Sequence, residues 1–128
     1  MPITREVVTA PDAPDAVGPY SHAIKAGDLL FCSGQIPLDP ATMTLVEGTA
    51  AEQAERCLRN LQAVCAAAGT TLERAVRMTV YLADLGTWGS VNEAYAKFFP
   101  QDPPARVAYG VAALPMGAQV EIDAVVAL

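Results

Sequence analysis

The chain has 128 residues, of which 52% are hydrophobic and 17% are charged, and its formal net charge is −6. This length and apolar content predict one domain, residues 1–128, with a hydrophobic core of its own. Lysines and arginines are scattered, so the sequence lacks the basic patch that nucleic-acid binding requires. No apolar run reaches the roughly 20 residues of a membrane span.

Three cysteines and one histidine are present, and neither their number nor their spacing fits a disulfide framework or a zinc site. No basic segment followed by an apolar one stands at the N-terminus, so no secretory signal is expected. Cys32, Cys57 and Cys65 are therefore expected to be reduced thiols, mostly buried, in a cytoplasmic protein without a metal site.

The first part of the chain predicts short strands. Residues 3–8 alternate weakly between polar and apolar side chains. Gly27-Asp28 is typical of a two-residue hairpin turn between strands 24–26 and 29–34. Residues 43–46 predict a short edge strand. A helix over 50–68 follows, since its apolar residues recur at helical spacing.

Thr49 and Glu52 form a capping-box pattern at the start of this helix, and Gly69 is expected to end it. Its polar side carries two charge pairs at i,i+4 spacing, Glu52–Arg56 and Glu55–Arg59. Beyond it the pattern predicts a strand over 72–82 with Val76, Met78, Val80 and Leu82 on one face, and a helix over 88–99. Residues 103–109 and 119–126 are interpreted as an antiparallel hairpin, which places Arg106 and Glu121 on neighbouring strands.

The resulting order, β-β-β-α-β-α-β-β, predicts an α+β fold in which two helices cover one face of a six-stranded sheet. The second face carries apolar or aromatic side chains that include Leu29, Phe31 and Tyr81. An uncovered patch of this kind would be an association site, so we expect a closed homo-oligomer with pockets near the subunit boundary.

Four fragments combine residue types that small-molecule sites use: Gly18–His22, Ser33–Pro37, Asn92, and the Arg106/Glu121 pair. Taken singly, each fragment has a structural explanation. Gly18–His22 could be a tight connector, and Ser33–Pro37 could contain a bulge. Asn92 could hold a loop or cap in place, and Arg106 and Glu121 could form a salt bridge at the sheet rim. Neighbouring strand residues point to opposite faces, so Ser21 and His22 do not predict a nucleophilic pair. His22 is expected to be a polar loop residue.

Together and in this order, the fragments resemble the Rid family, the reactive intermediate (enamine/imine) deaminases. The matching segments extend over nearly the whole chain: GPYSHA at 18–23, SGQIP at 33–37, NEAYAKFF at 92–99, PPARVA at 103–108 and LPMGAQVEIDA at 114–124. The resemblance implies a chorismate-mutase-like fold, a homotrimer, and active sites in clefts between subunits.

The same resemblance implies that Arg106 binds a substrate carboxylate and that Glu121 is the catalytic group that positions water. The other pocket residues that it implies are Tyr20, Ser33, Asn92 and Ala108. A 2-imino acid carries a carboxylate beside an electrophilic C=N carbon, and Arg can bind that carboxylate through two parallel hydrogen bonds. Water and one carboxylate suffice for the hydrolysis, so no cofactor is expected. Arg106 and Glu121 are then expected to face one shared cavity.

Two departures from the family pattern concern the substrate: Ala108 stands where a cysteine is common, and His22 replaces a frequent glutamine. In addition, Tyr109 could narrow the pocket. The main hypothesis is hydrolysis of 2-iminopropanoate or 2-iminobutanoate to a 2-oxo acid and ammonia. The alternatives are a related hydrolase acting on an aminoacrylate or aminomuconate, and a non-enzymatic, chaperone-like trimer. Ribonuclease activity, attributed to some relatives, fits poorly with the acidic composition.

Overall fold

Six β-strands and two α-helices follow one another along residues 2–128, the part of the chain that the computed structural model describes. In chain order they are β1 (Arg5–Val8), β2 (Ala23–Ala26), β3 (Leu29–Gln35), α1 (Ala50–Ala67), β4 (Ala75–Leu82), α2 (Trp88–Ala96), β5 (Ala105–Gly110) and β6 (Val120–Ala127). This is the order that the hydrophobic pattern predicts, and it confirms the α+β class.

The strands form one mixed sheet in the order β1-β2-β3-β6-β4-β5. β5 runs parallel to β4, and the other neighbouring pairs are antiparallel. Parallel neighbours need a crossover connection, and α2 supplies it between β4 and β5. α1 connects β3 to β4, and β6 occupies the place between these two strands.

The predicted terminal hairpin is wrong, because β4 lies between β5 and β6. The connection 111–119 carries the chain from the sheet edge back to its centre. Burial explains the arrangement: alternate side chains of β6 are buried, whereas β5 has no buried residue. A strand with one fully apolar face is most stable in the sheet centre, while Pro103 and Pro104 suit the entry to an edge strand.

The predicted capping box of α1 is confirmed. The Glu52 N–H donates to Thr49 Oγ1 at 3.2 Å, and the Thr49 N–H donates to Glu52 Oε1 at 3.0 Å. Gly69 adopts φ +84° just beyond the helix, where its lack of a Cβ is an advantage. Arg59 pairs with Glu55 as predicted, at 2.8 Å. The predicted Glu52–Arg56 pair is wrong, because Glu52 is engaged in the cap.

Several predicted boundaries differ from those of the structure. A 3-10 turn occupies Leu72–Arg74, and β4 begins only at Ala75. A register shift against β6 between Ala75 and Arg77 interrupts the alternation, so Val76 is exposed and not on the apolar face as predicted. α2 ends at Ala96, three residues early. The predicted edge strand over 43–46 is reduced to an isolated bridge between Leu38 and Leu45.

Both helices pack on one face of the sheet, and their apolar side chains join those of β3, β4 and β6 in one core. Cys32, Cys57 and Cys65 are buried there as free thiols. On the opposite, helix-free face, Phe31 is 46% exposed and Tyr81 is partly exposed. Coverage of this face by a second copy stays a prediction. No helix within residues 2–128 is long and apolar enough to cross a membrane.

Candidate functional site

A cavity of about 360 Å³ opens beside the C-terminal end of β3. The structure brings three of the predicted site residues together here, although they come from distant parts of the chain: Tyr20, Ser33 and Glu121 line this cavity. Its remaining lining residues are mainly apolar, namely Val17, Gly34, Ile36 and Pro115. The cavity therefore combines one carboxylate and two hydroxyls with an apolar wall.

Glu121 lies near the start of β6, opposite Tyr81 of β4, on the helix-free face. Its side chain is half-buried, and this burial raises the pKa of its carboxyl group above the ordinary value of 4.5, with the negative charge of Asp123 as a second cause. Tyr81 donates a hydrogen bond of 2.7 Å to Asp123 Oδ2. A carboxyl with a raised pKa at a cavity is suited to accepting and returning a proton.

Gly34 gives the Glu121 carboxylate its space. A Cβ atom on Gly34 would overlap Glu121 Oε2 and would lie 3.1 Å from Cδ. The strand is irregular at this point, since the register between β3 and β6 shifts between Cys32 and Gln35. The sequence analysis leaves two interpretations of Ser33–Pro37 open, a small-molecule site and a bulge. The structure shows a register shift, together with a close approach by a catalytic candidate of the same chain.

Backbone contacts fix the two hydroxyl residues of the cavity. Ser33 Oγ donates to the Ser21 carbonyl at 2.6 Å, and the Ser33 N–H donates to the His22 carbonyl at 3.0 Å. The Val17 N–H donates to the Tyr20 hydroxyl oxygen at 3.3 Å. The Tyr20 hydroxyl proton stays available, and its side chain is 46% exposed.

His22 lies in the loop before β2, as the sequence predicts, and it is buried there, with 6% of its surface exposed. Its Nδ1 accepts a hydrogen bond from the Ala10 N–H at 3.0 Å, so Nε2 carries the proton and donates to the Pro14 carbonyl at 2.7 Å. Both ring nitrogens are thus committed to holding the 10–14 loop, which explains why a histidine fits here without a role in catalysis.

Arg106 lies on the edge strand β5, on the same side of the sheet as the helices, opposite Met78 of β4. Its Nη1 donates to Asn92 Oδ1 at 2.8 Å. The guanidinium carbon lies 4.6 Å from the centre of the Trp88 ring and 4.8 Å from that of the Tyr95 ring. A second cavity, of about 260 Å³, opens at this point between Arg106, Tyr95, Pro103 and Pro104.

The residues around Glu121 and those around Arg106 therefore form two separate groups within one protomer. We call Tyr20, Ser33, Gly34 and Glu121 the acidic half-site, and Trp88, Asn92, Tyr95 and Arg106 the cationic half-site. Arg106 is opposite Met78 and Glu121 is opposite Tyr81, three residues further along β4, so the two side chains lie on opposite faces of the sheet.

The prediction that Arg106 and Glu121 lie on neighbouring strands is therefore wrong. Within one protomer Arg106 does not line the cavity at Glu121, so a cavity shared by the two residues between subunits stays a prediction. No Arg106–Glu121 salt bridge forms among residues 2–128. The simple interpretation of the pair as a rim salt bridge is therefore also excluded.

Ala108 follows Arg106 on the same side of β5 and pairs with Val80. It is half-buried against the core. Its methyl group offers no reactive or polar atom, so only its backbone could form a hydrogen bond with a ligand. Within the described residues, no three His, Cys, Asp or Glu side chains come together in a group that could hold a metal ion.

Sequence reasoning missed the roles of Gly34, Trp88 and Tyr95. The signal for the last two was present, because Trp88, Asn92 and Tyr95 have the i, i+4, i+7 spacing that places side chains on one face of a helix. The sequence pattern by itself does not distinguish such a face from the apolar side of a core helix. The signal for Gly34 was only its position near the end of a strand, which does not reveal what approaches it.

The six-stranded mixed sheet with two helices on one face is the fold of a small chorismate-mutase-like α+β protein. Its charged site residues form separate acidic and cationic half-sites. The model of the family described as "Endoribonuclease L-PSP" matches residues 10–128. The chain belongs to this family, the RutC/Rid family.

Relatives and solved structures agree with this assignment. The chain is 56% identical to "RutC family protein y4sK" of Sinorhizobium fredii over 96% of its length and 98% of that protein. It is 45% identical to the "2-iminobutanoate/2-iminopropanoate deaminase" of Mus musculus, over 96% and 91% of the two chains. A Yersinia pestis structure titled as a member of the conserved Rid protein family superposes with a TM-score of 0.94 at 39% identity, covering 98% of this chain and 100% of that one.

Proposed function

We propose that the protein is a hydrolytic deaminase that converts small 2-imino acids, such as 2-iminopropanoate and 2-iminobutanoate, to 2-oxo acids and ammonia. The name of the mouse relative supports this activity class. The observation that carries the proposal is that the two charged groups the reaction needs each line a cavity, Glu121 beside the end of β3 and Arg106 beside Pro103 and Pro104, where a small substrate can reach them. The cation is free to bind a carboxylate, and the carboxyl group is free to exchange a proton with water.

The two half-sites act on one substrate only if different copies of the chain supply them. Inside one protomer they lie on opposite faces of the sheet and two strands apart, about 10 Å in the direction across the strands. A 2-imino acid is too short to span that separation. We therefore infer that Arg106 of one copy meets Glu121 of the next in a ring of copies, as expected for the family's homotrimer.

The reaction then follows from the residue types. Arg106 binds the substrate carboxylate, and Glu121 accepts a proton from a water molecule whose oxygen bonds to the imine carbon. Glu121 returns this proton to the nitrogen, which gives a carbinolamine. The hydroxyl proton then passes to the nitrogen, the C–N bond breaks with its electron pair on nitrogen, and ammonia and the 2-oxo acid leave. No metal or organic cofactor takes part in these steps.

The first test couples the protein to a pyridoxal-phosphate-dependent dehydratase and its amino acid, and measures the rate of 2-oxo acid formation. We expect acceleration by the wild type and a loss of about 100-fold in kcat/KM for Arg106→Ala and for Glu121→Gln. Arg59→Ala, which removes an exposed guanidinium on α1, is the matched control and should keep the wild-type rate. No acceleration by the wild type, or equal acceleration by Arg106→Ala, would exclude the proposal.

The second test asks whether the site is shared between copies. Arg106→Ala and Glu121→Gln chains are unfolded together, refolded as a mixture and assayed. If each site takes one residue from each of two copies, about a quarter of the sites in randomly mixed rings hold both residues, so activity should return to roughly that fraction. If both residues of a site come from the same chain, mixing restores nothing.

A further inference from the structure

One face of α2 holds the guanidinium of Arg106 in place. Trp88, Asn92 and Tyr95 succeed one another at i, i+4 and i+7, and all three contact Arg106 of the adjoining edge strand. The guanidinium carbon is within 5 Å of both ring centres, at 4.6 Å and 4.8 Å. These distances are well inside the range of about 6 Å over which an aromatic ring attracts a cation.

All three partners are uncharged. A carboxylate partner would hold Arg106 more strongly, but it would neutralise the charge and occupy the N–H groups that bind a second carboxylate. The ring faces attract the cation without accepting its N–H hydrogens in the guanidinium plane. Asn92 Oδ1 accepts one hydrogen bond, which Arg106 donates through Nη1. The other N–H groups of Arg106 donate no hydrogen bond within residues 2–128, and they lie beside the cavity lined by Pro103 and Pro104.

We propose that Trp88 and Tyr95 form an uncharged aromatic clamp that positions Arg106 for two-point binding of the substrate carboxylate. The clamp deepens the proposed deaminase function and rests on it. Both are positioning residues, because they act through Arg106. The rings fix the plane of the guanidinium, and the order they impose before binding reduces the entropy lost when the carboxylate arrives.

In the described part of the chain, the Tyr95 hydroxyl group makes no hydrogen bond that would stabilise the fold. It is buried and has no hydrogen-bond partner within residues 2–128. Tyr95 also packs at a tilt against Phe99, with ring centres 4.8 Å apart, and this contact helps to fix the orientation of the Tyr95 ring. The part of Tyr95 that contacts Arg106 is its ring face, so phenylalanine should serve in its place.

The experiment measures binding of 2-oxobutanoate, as a carboxylate probe, to the whole protein by titration calorimetry, together with KM and kcat in the coupled assay. Trp88→Leu and Tyr95→Leu should each weaken binding and raise KM by about 3- to 10-fold, with kcat changed less than 2-fold. Trp88→Phe and Tyr95→Phe keep a ring face and should recover most of this loss. Phe98→Leu removes an aromatic ring just beyond α2 that does not contact Arg106, and should bind as the wild type does.

Trp88 is the single tryptophan of the chain, so its fluorescence reports on the clamp without any substitution. Saturating 2-oxobutanoate should change the emission of the wild type but not that of Arg106→Ala. This measurement decides the question even if the leucine variants fail to fold.

Three results separate the clamp from the function on which it rests. If the wild type neither binds 2-oxobutanoate nor accelerates the coupled reaction, the deaminase proposal fails, and the clamp fails with it. If the wild type binds and Arg106→Ala does not, but both leucine variants bind as tightly as the wild type, only the clamp is overturned. Binding that leaves the Trp88 emission unchanged also overturns it.

Discussion

The acidic and the cationic half-site are built in different ways. Glu121 sits on a central strand, over Gly34, and the neighbouring hydroxyls of Tyr20 and Ser33 are tied to backbone groups. Arg106 sits on an edge strand and is held by side chains of α2. Both groups need accurate placement, one to exchange a proton with water and the other to bind a carboxylate at two points, but backbone contacts surround the first and side chains surround the second.

This difference predicts that small backbone changes damage the acidic half-site most. Gly34→Ala should displace the Glu121 carboxylate, because the new methyl group would occupy its position. A displacement of about 1 Å can cost roughly 100-fold in rate, so we expect a fall in kcat of this order. The measurement is kcat in the coupled assay, with thermal unfolding to check that the fold persists.

Gly89→Ala is the matched control for this change. A Cβ on Gly89 would meet no atom within 4 Å, and the residue lies inside α2. Alanine is the better helix former by about 1 kcal/mol, so this variant should be at least as stable as the wild type and about as active. Full activity of Gly34→Ala would show that the position of the Glu121 carboxylate does not limit the reaction.

The local helical features of this site were accessible from the sequence, and the pairing of its strands was not. The capping box of α1 depends on residues three positions apart, and the Trp88–Asn92–Tyr95 face depends on residues within two turns, so spacing alone reveals both. The hairpin prediction failed because pairing is decided by burial across the whole sheet. The strongly apolar β6 takes the central position between β3 and β4.

The faces of Arg106 and Glu121 could not be derived for the same reason. Alternation assigns Arg106 and Ala108 to one face, and Glu121 and Asp123 to one face, but it does not relate the two strands to each other. Only their registers against β4 show that the faces are opposite. The family resemblance supplied the list of residues and implied sites in clefts between subunits. It did not show that Arg106 and Glu121 lie on opposite faces of the sheet within one protomer.

The wall of the acidic half-site depends on a buried amide of α1. Asn60 is fully buried, and its Nδ2 donates to the carbonyls of Ile36 at 3.3 Å and Leu38 at 3.0 Å. Asn60→Ala leaves both carbonyls without this partner, and should lower the free energy of unfolding by about 2–3 kcal/mol. Chemical denaturation at fixed protein concentration measures this loss.

The same change should affect the two half-sites unequally. Ile36 lines the cavity at Glu121, while the cationic half-site lies on other elements. We therefore expect a several-fold loss of kcat with little change in Trp88 fluorescence. Gln62→Ala removes an exposed amide from the same helix and should stay within about 0.5 kcal/mol of the wild type. Alanine is a better helix former than either residue, so helix propensity cannot cause a loss, and an equal loss in both variants would show that the two buried hydrogen bonds of Asn60 are not its source.

The smallest expected effect is a change in Tm, and it comes from the free-energy cost of keeping Glu121 ionised in the folded protein. Because its pKa is raised in the folded state, the folded protein binds this proton more tightly than the unfolded chain does. The stabilisation from the bound proton is complete below the ordinary value of 4.5 and is lost as the pH rises through the raised pKa. Glu121→Gln removes the ionisation cost, so its Tm should exceed that of the wild type by roughly 1–3 °C at neutral pH, and the difference should vanish near pH 4.

Exposed Glu93→Gln should show no such pH-dependent gain. A Tm of Glu121→Gln below that of the wild type at neutral pH would mean that the ionised carboxylate has a stabilising partner in the assembled protein, for which Arg106 of a neighbouring copy is the first candidate.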